Sequence, residues 1–272
     1  MSEPGLLVRT EGAVRILVNS NPAARNAITP VLYDALPAAF DEAARDPAIG
    51  AIVLSGDGDF FCAGGDLRQL ATRRALPPEG RRAKVERLHE LVRALRACPK
   101  PIVAAVEGGA AGAGMSLALA CDMLVAARGA LFSMAYVKVG LSPDGGATAF
   151  LSRFLSRQLL TELCLLGERL PAERLHQLGA VNRLSEPGQA LKEALALAAR
   201  VADGPANANA RIKHLCENAG AASLNEQLDL EAQLMVQSQG DDEAQEGIEA
   251  FFAKRAPDFT ALRHARAGQP KE

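Results

Sequence analysis

Residues 60–67 read FFCAGGDL, and they directly follow the apolar run AIVLSG of residues 51–56. The apolar run predicts a buried strand, and Gly64 and Gly65 predict a tight turn where that strand ends. A helical pattern begins behind Asp66. Because glycine has no side chain, such a turn offers its backbone N–H groups to a neighbouring molecule.

The same succession of strand, glycine turn and helix occurs a second time. KPIVAAVEGG, residues 100–109, predicts a strand, and AAGAGMSLALACD, residues 110–122, predicts a glycine turn that leads into a helix. Strands that alternate with helices predict an α/β organisation with parallel strand pairing. The first N–H groups of a helix have no partner within it and lie at the positive end of its dipole.

These two turns are candidates for an oxyanion hole. Gly65 and Ala113 can each present an N–H group to one oxygen that gains negative charge during a reaction. The alternative is that the glycines only permit tight turns and close packing, and for either turn alone this alternative is favoured. The repetition of the unit favours the oxyanion hole modestly.

The remaining pattern extends the α/β interpretation. Residues 6–19 predict a β-hairpin. Pro30, preceded by threonine, predicts the start of a helix, and Pro37 in the same helical pattern is expected to kink or end it. Residues 76–80, LPPEG, predict a mobile surface loop, and apolar residues at helical spacing predict a helix over residues 81–98.

The chain is predicted to have two regions. Residues 1–195 are expected to form an α/β core, because strands and helices alternate there. Residues 196–272 are wholly helical in pattern and are expected to pack on themselves or on a neighbouring subunit. The last residues, 265–272, are expected to fray.

Composition limits the function classes. The chain has 272 residues, 49% of them hydrophobic, which is enough to bury a substantial core. A net charge of −2 gives no global reason to expect nucleic acid or an anionic membrane as a partner. Five scattered cysteines without CxxC spacing, no cationic segment before an apolar run at the start, and no membrane-length apolar stretch predict a cytoplasmic location.

A second candidate for chemistry is Asp144 in VGLSPDGGAT, residues 139–148. This aspartate follows a proline in a glycine-bounded turn after an apolar strand. A carboxylate that is partly withdrawn from water there suits proton transfer. The alternative, favoured for this motif alone, is a turn aspartate that is hydrogen-bonded to nearby amides.

A nucleophile-elbow pattern is present but has no base. GMSLA, residues 114–118, matches G-x-S-x-[GA] with Ser116 as the nucleophile. Of the possible bases, three fall on predicted helices and the fourth in the tail: His89, His176, His214 and His264. Ser116 is therefore interpreted as a small residue at a helix start.

The chain has no nucleotide-binding fingerprint and no metal-ligand spacing. It does have a basic cluster that can meet phosphates, although a solvated helix face is the favoured explanation for most of it. The members of this cluster are Arg73, Arg74, Arg81, Arg82, Lys84 and Arg87.

Five segments in order resemble the enoyl-CoA hydratase/isomerase (crotonase) superfamily over residues 6–259. They are NPAARNAI, FFCAGGDL, KPIVAAVEGGAAGAGMSLALACD, VGLSPDGG and FFAKRAPDF. The resemblance implies an α/β spiral of strand–strand–helix units with a C-terminal helical region, assembled as a homotrimer or a dimer of trimers. It also implies acyl-CoA thioesters as substrates, with CoA carried as part of the substrate and no separate cofactor or metal.

The resemblance also implies roles for individual positions. Gly65 and Ala113 match the two residues whose N–H groups hold the thioester carbonyl, and Asp144 matches the aspartate that moves a proton between carbons in isomerase-type members. The positions expected along CoA are Ala23, Ala24, Arg25, Ala63, Asp66, Leu67, Arg68 and Lys254, the last often from a neighbouring subunit. The positions expected in the substrate pocket are Ser116, Tyr136, Leu141 and Pro143.

One departure from the family pattern bears on the reaction. Typical hydratases carry two glutamates that activate water, and the matching positions here are Ser116 and Tyr136. Asp144 alone is enough for a 1,3-proton shift, which favours double-bond isomerisation. A hydratase or CoA-ester hydrolase that uses water held near Asp144, Tyr136 or Ser116 stays open, as does a non-catalytic CoA-binding subunit. Tyr136 is interpreted as pocket lining.

Overall fold

A computed structural model describes residues 5–267, which form nine β-strands and twelve α-helices. The strands are β1 (Gly5–Glu11), β2 (Val14–Ser20), β3 (Ala51–Gly56), β4 (Ile102–Val106), β5 (Gly109–Ala111), β6 (Met123–Ala127), β7 (Leu131–Ser133), β8 (Arg169–Pro171) and β9 (Arg183–Ser185). The helices are α1 (Pro30–Arg45), α2 (Leu67–Arg73), α3 (Pro78–Ala97), α4 (Ala113–Ala120), α5 (Ala147–Leu151), α6 (Arg157–Leu166), α7 (Ala172–Gln177), α8 (Ala190–Ala202), α9 (Ala206–Asn218), α10 (Leu224–Gln239), α11 (Asp242–Phe252) and α12 (Phe259–Ala267).

The main sheet has the strand order β1-β2-β3-β4-β6-β9. β1 and β2 form the predicted antiparallel hairpin, and every later neighbour in this sheet is parallel. A second sheet has the order β5-β7-β8, in which β5 and β7 are parallel. The predicted α/β organisation with parallel pairing is confirmed.

The main sheet is buried on both faces because its strands are apolar at successive positions. In β3, Ile52 and Leu54 belong to one core cluster, whereas Ala51 and Val53 belong to the other. The alternation follows the two-residue period of a strand. A parallel sheet with a core on each side places the ends of its strands, and the turns that follow them, along one edge.

Helix α8 covers one of the two faces. Its residues Ala194, Leu197, Ala198 and Ala202 are buried in the same cluster as Ala51 and Val53. The predicted boundary at residue 195 falls inside this helix. The division into two regions stays a prediction, but α8 as a whole packs on the sheet.

Pro37 was expected to kink or end the helix that contains it, and the helix does not end there. α1 continues through Pro37 to Arg45, although a proline in a helix interior removes one hydrogen bond. Leu36 and Phe40 on either side of the proline are fully buried, and this packing outweighs the lost bond.

The loop predicted over residues 76–80 is shorter than expected. Pro78 is the first residue of α3, so the residues up to Gly80 form the first turn of that helix. A proline fits at this position because the first N–H groups of a helix have no partner within it.

The C-terminal tail is also more regular than expected. Residues 265–267 belong to α12, as does His264, and the rest of the predicted frayed tail lies outside the described residues. No helix between residues 5 and 267 combines the length and the apolar character needed to cross a membrane. The cytoplasmic location stays a prediction.

Candidate active site

The two glycine turns are in contact with each other. The N–H of Ala111 donates a hydrogen bond to the carbonyl oxygen of Cys62 at 2.9 Å, and an isolated parallel bridge joins Cys62 to Ala110. Gly64 has a φ of 90°, and a Cβ there would lie 2.7 Å from the carbonyl oxygen of Ala111 and 3.1 Å from the nitrogen of Ala113. Only a residue without a side chain allows the turns to approach so closely.

Both predicted N–H donors lie at this meeting point. Ala113 is the first residue of α4, where an N–H has no partner within the helix. The preceding Gly112 donates its own N–H to the carbonyl oxygen of Ser133 at 2.9 Å. Among the hydrogen bonds that the turns form in the described part of the chain, none has Gly65 or Ala113 as its backbone donor. Two N–H groups are thus left for another molecule.

Gly65 and Ala113 line one cavity of about 890 Å³, and Tyr136 and Asp144 line the same cavity. The structure therefore brings the two candidate donors and the candidate proton carrier to one space. Leu141 and Pro143, two of the positions expected in the substrate pocket, also line this cavity.

Asp144 is held by a tyrosine. The Tyr136 hydroxyl donates a hydrogen bond to Oδ1 of Asp144 at 2.7 Å. Tyr136 lies in a short 3-10 helix, Ala135–Val139, and is half-buried. Burial, and after it the neighbouring Asp144 carboxylate, raise the pKa of the Tyr136 phenol well above its ordinary range. The phenol therefore keeps its proton and continues to donate at neutral pH.

Ser116 was expected in the substrate pocket, but it is not one of the residues that line the cavity. It is fully buried in α4, and its hydroxyl donates a hydrogen bond to the backbone carbonyl oxygen of Asp144 at 3.0 Å. The serine therefore anchors the turn that carries Asp144. This burial agrees with its interpretation as a small residue and gives the nucleophile-elbow pattern no support.

The residues expected along CoA are placed in two groups. Ala63 and Leu67 line the cavity, whereas Arg68 is exposed on α2 outside it. Asp66 caps that helix, since its Oδ1 accepts the N–H of Arg68 at 2.9 Å. The carboxylate behind the glycine turn therefore has a structural role of its own.

The second group is the exposed turn at residues 23–25. The carbonyl oxygen of Arg25 accepts the N–H of Ala63 at 2.9 Å, so this turn lies against the first glycine turn. Neighbouring Asn26 is fully buried, and its Nδ2 donates to the carbonyl oxygens of Asp57 at 2.8 Å and Phe60 at 2.6 Å. Sequence reasoning missed Asn26, and no pattern distinguishes it from an ordinary turn asparagine.

Lys254 is not brought to this site within one chain. It follows α11 with a φ of 54°, is exposed, and does not line the cavity. Its predicted contribution to a neighbouring subunit's site stays a prediction.

The basic cluster is divided between cavity and solvent. Arg73, Arg74 and Arg81 line the main cavity. Lys84 and Arg87 line an adjoining cavity of about 370 Å³. Arg73 is half-buried, whereas Arg74 and Arg81 are exposed, so a solvated face still describes those two although they border the cavity. Across residues 5–267, no group of three or more His, Cys, Asp or Glu residues is arranged to hold a metal ion.

Known proteins are similar to this chain in sequence and in structure. The family model described as enoyl-CoA hydratase/isomerase matches residues 9–262. The chain is 36% identical to the 1,2-epoxyphenylacetyl-CoA isomerase of Escherichia coli, with 94% of this chain and 98% of that protein covered. It is 34% identical to the 2,3-dehydroadipyl-CoA hydratase of the same organism, with 95% and 99% covered.

A solved structure confirms the fold. The crystal structure of an enoyl-CoA hydratase from Polaromonas sp. JS666 superposes with a TM-score of 0.91 at 45% identity, and 93% of this chain and 99% of that chain are covered. The predicted crotonase-type fold is therefore confirmed.

Proposed function

Because the chain belongs to the enoyl-CoA hydratase/isomerase family, we propose that it shifts the double bond of an enoyl-CoA. In this proposal the N–H groups of Gly65 and Ala113 bind the thioester oxygen, and Asp144 carries the proton. The observation that supports it most is that all three residues line one cavity.

The two N–H groups serve the charged intermediate. When a proton leaves the carbon next to the thioester carbonyl, negative charge moves onto the carbonyl oxygen and an enolate forms. Two donors held in place beforehand stabilise that oxygen, and the loss of one typically costs about 3–4 kcal/mol of barrier stabilisation. Gly64 supports this arrangement because its lack of a side chain lets Ala113 come close.

Asp144 supplies the proton transfer. Its carboxylate takes a proton from the carbon next to the carbonyl of a 3-enoyl-CoA and returns it two carbons away. The double bond thereby moves into conjugation with the carbonyl, and no atom is gained or lost. The Tyr136 hydroxyl occupies one carboxylate oxygen, Oδ1, which leaves Oδ2 for the substrate.

Isomerisation is favoured over hydration for one structural reason. Among the described residues that line the cavity, Asp144 is the only carboxylate. The two-glutamate activation of water that typifies hydratases therefore has no counterpart here. Hydration remains the second candidate, since the hydratase from Escherichia coli is nearly as similar in sequence as the isomerase.

Deuterium exchange tests the shared first step. A CoA thioester incubated in D₂O should exchange the hydrogen on the carbon beside the carbonyl, and a 3-enoyl-CoA should be converted to the conjugated isomer. Asp144→Asn should lower both rates by at least about 100-fold. Asp41→Asn, on the exposed face of α1, is the matched control and should leave both rates unchanged.

The outcomes separate the candidates. Equal rates in the wild type and Asp144→Asn would remove Asp144 from the mechanism. Water addition to crotonyl-CoA that survives Asp144→Asn would favour a hydratase. Tight binding of a CoA thioester without exchange would favour a non-catalytic CoA-binding subunit.

We also propose that the chain assembles as a homotrimer or a dimer of trimers. α10 and α11 expose a set of large apolar side chains that a single chain leaves uncovered, which is typical of a contact surface. They are Met235, Val236, Ile248, Phe251 and Phe252. Sedimentation equilibrium measures the assembly, and a monomer at micromolar concentration would contradict it.

A further inference from the structure

One part of the cavity carries positive charge that the proposed reaction does not use. Arg73 on α2, the next residue Arg74, and Arg81 on α3 all line it. Of the described residues that line the cavity, only Asp144 has a carboxylate, and only His89 is a histidine. Three guanidinium groups therefore face a space whose proton chemistry needs none of them.

Arg73 lies at a boundary of the cavity. Arg73 and Tyr33 line both the main cavity and the adjoining cavity of about 370 Å³, so they stand where the two spaces meet. Burial raises the pKa of the Tyr33 phenol, the nearby Arg73 guanidinium opposes that rise, and the Asp144 carboxylate adds to it. Tyr33 is thus close to both charges, with Asp144 on the reacting side and Arg73 at the boundary.

These guanidinium groups have no acidic partner. In residues 5–267, no carboxylate oxygen lies within 4.0 Å of a side-chain nitrogen of Arg73, Arg74 or Arg81. Arg87, which faces the adjoining cavity, is by contrast paired with Asp34. Arg73 is half-buried, and a half-buried cation without a counter-ion favours the binding of an anion.

Part of the wall of the same cavity is apolar. It includes Leu70, Val85 and Leu88, and Leu88 is almost fully buried. Such a wall accommodates a hydrocarbon chain, because burying apolar surface releases it from water. A hydrocarbon chain that packs on this wall lies in the cavity that the three arginines also line.

We propose that this end of the cavity binds a carboxylate at the far end of the acyl group, so that the preferred substrates are CoA thioesters of dicarboxylic acids. Arginine suits this role because its planar fork of donors matches the two oxygens of a carboxylate. The inference rests on the acyl-CoA part of the proposed function and does not depend on which reaction follows.

The phosphates of CoA are a second source of the same anionic chemistry. If the arginines bind those phosphates, they contribute equally to every CoA thioester, whatever its acyl group. A carboxylate-binding role instead makes their contribution depend on the acyl terminus. Matched pairs of thioesters therefore distinguish the two.

The experiment measures binding of saturated CoA thioesters, which need no turnover. Succinyl-, adipoyl- and suberoyl-CoA are compared by calorimetry with butyryl-, hexanoyl- and octanoyl-CoA of the same chain lengths. At least one diacid thioester should bind the wild type about 10- to 100-fold more tightly than its methyl-terminated partner. Arg73→Gln, and separately Arg81→Gln, should reduce that ratio about tenfold while the methyl-terminated thioester changes little.

Arg82→Gln is the matched control. Arg82 is exposed on α3 beside Arg81 but lines neither cavity, so its variant should keep the wild-type ratio. Circular dichroism and thermal unfolding establish that each variant is folded.

Four results would overturn the inference. A wild type that prefers the methyl-terminated thioester in all three pairs excludes the carboxylate subsite. Equal weakening of both members of a pair in the arginine variants assigns the arginines to the CoA phosphates. Absence of binding to any thioester overturns the proposed function as well, whereas equal binding within each pair overturns this inference alone.

Discussion

The hydroxyl of Tyr136 donates a 2.7 Å hydrogen bond to Oδ1 of Asp144. The Ser116 hydroxyl donates to the backbone carbonyl oxygen of the same aspartate, so the side chain and the main chain of Asp144 are both held by hydrogen bonds. A carboxylate held in this way reaches the reacting carbons in one orientation, which saves the entropy of positioning it during the reaction.

Removing the hydroxyl should separate positioning from binding. In Tyr136→Phe the carboxylate loses a donor, and we expect kcat to fall by about 10- to 100-fold. KM for a 3-enoyl-CoA should change less than about threefold, because the ring that lines the cavity is retained. Steady-state kinetics at neutral pH measure both, and a kcat within twofold of the wild type would leave Tyr136 as pocket lining only.

A side chain at Gly64 should separate the two turns. Its Cβ would approach the carbonyl oxygen of Ala111 to 2.7 Å, so Gly64→Ala is expected to move the start of α4 and to lower kcat/KM by about 100-fold or more. Gly12→Ala is the matched control, because Gly12 also has a positive φ, 56°, but has no atom within 4 Å of its would-be Cβ. Full activity in Gly64→Ala would contradict the proposed oxyanion hole.

Loss of the Asn26 side chain should loosen the turn expected to contact CoA. Asn26→Ala leaves the carbonyl oxygens of Asp57 and Phe60 without this donor in a partly buried place, and we expect the free energy of unfolding to fall by about 2 kcal/mol. CoA affinity should fall with it. Urea unfolding of Asn26→Ala and of Asn218→Ala, whose side chain bonds only within α9, provides the comparison. Equal stabilities would show that Asn26 does not hold the turn.

A buried ion pair predicts a pH dependence of stability. Asp122 and Lys213 lie 3.0 Å apart with side chains that are 17% and 6% exposed. Burial raises the pKa of Asp122, and the Lys213 ammonium opposes that rise. Lys213→Met removes the opposing charge, so the folded state should hold the Asp122 proton more tightly and lose about 3–5 kcal/mol at neutral pH.

The sign follows from proton linkage. A carboxyl group whose pKa is raised by folding destabilises the folded state least when the pH is below its unfolded-state pKa. The stability of the folded state then decreases as the pH rises through the folded-state pKa. The free energy of unfolding of Lys213→Met, measured in urea, should therefore be closer to the wild-type value at pH 5 than at pH 8. Lys192→Met, exposed on α8, should show no such difference. A destabilisation that does not depend on pH would contradict the account.

The elements that follow from local pattern were predicted, and those set by packing were not. The hairpin, both strand–turn–helix units and the helix over residues 81–98 could be predicted because apolar period and glycine turns act locally. The continuation of α1 past Pro37 was not predicted, because the burial of Leu36 and Phe40, which a local pattern does not contain, favours the longer helix. The first turn of α3 was missed because two successive prolines resemble a loop.

The site shows the same limit. The shared cavity of Gly65, Ala113 and Asp144 agrees with the expected grouping, whereas the Tyr136–Asp144 bond depends on how a loop returns on itself. The basic cluster was assigned mostly to solvent, and Arg73 departs from that assignment because it is half-buried at the cavity. No sequence period reports which side of a short helix meets a cavity. Asn26 was missed because its partners come from a turn more than thirty positions along the chain.

Helix α8 also determines where the protein can be shortened. The nine strands found between residues 5 and 267 all end before residue 195, so a fragment that stops there retains every one of them. It would nevertheless lack Leu197, Ala198 and Ala202, and part of one apolar face of the sheet would be exposed to water. Such a fragment should aggregate during expression. The shortest fragment that we expect to fold extends past Ala202, whose atoms lie 2.8 Å from the position that a Cβ on Gly50 would occupy.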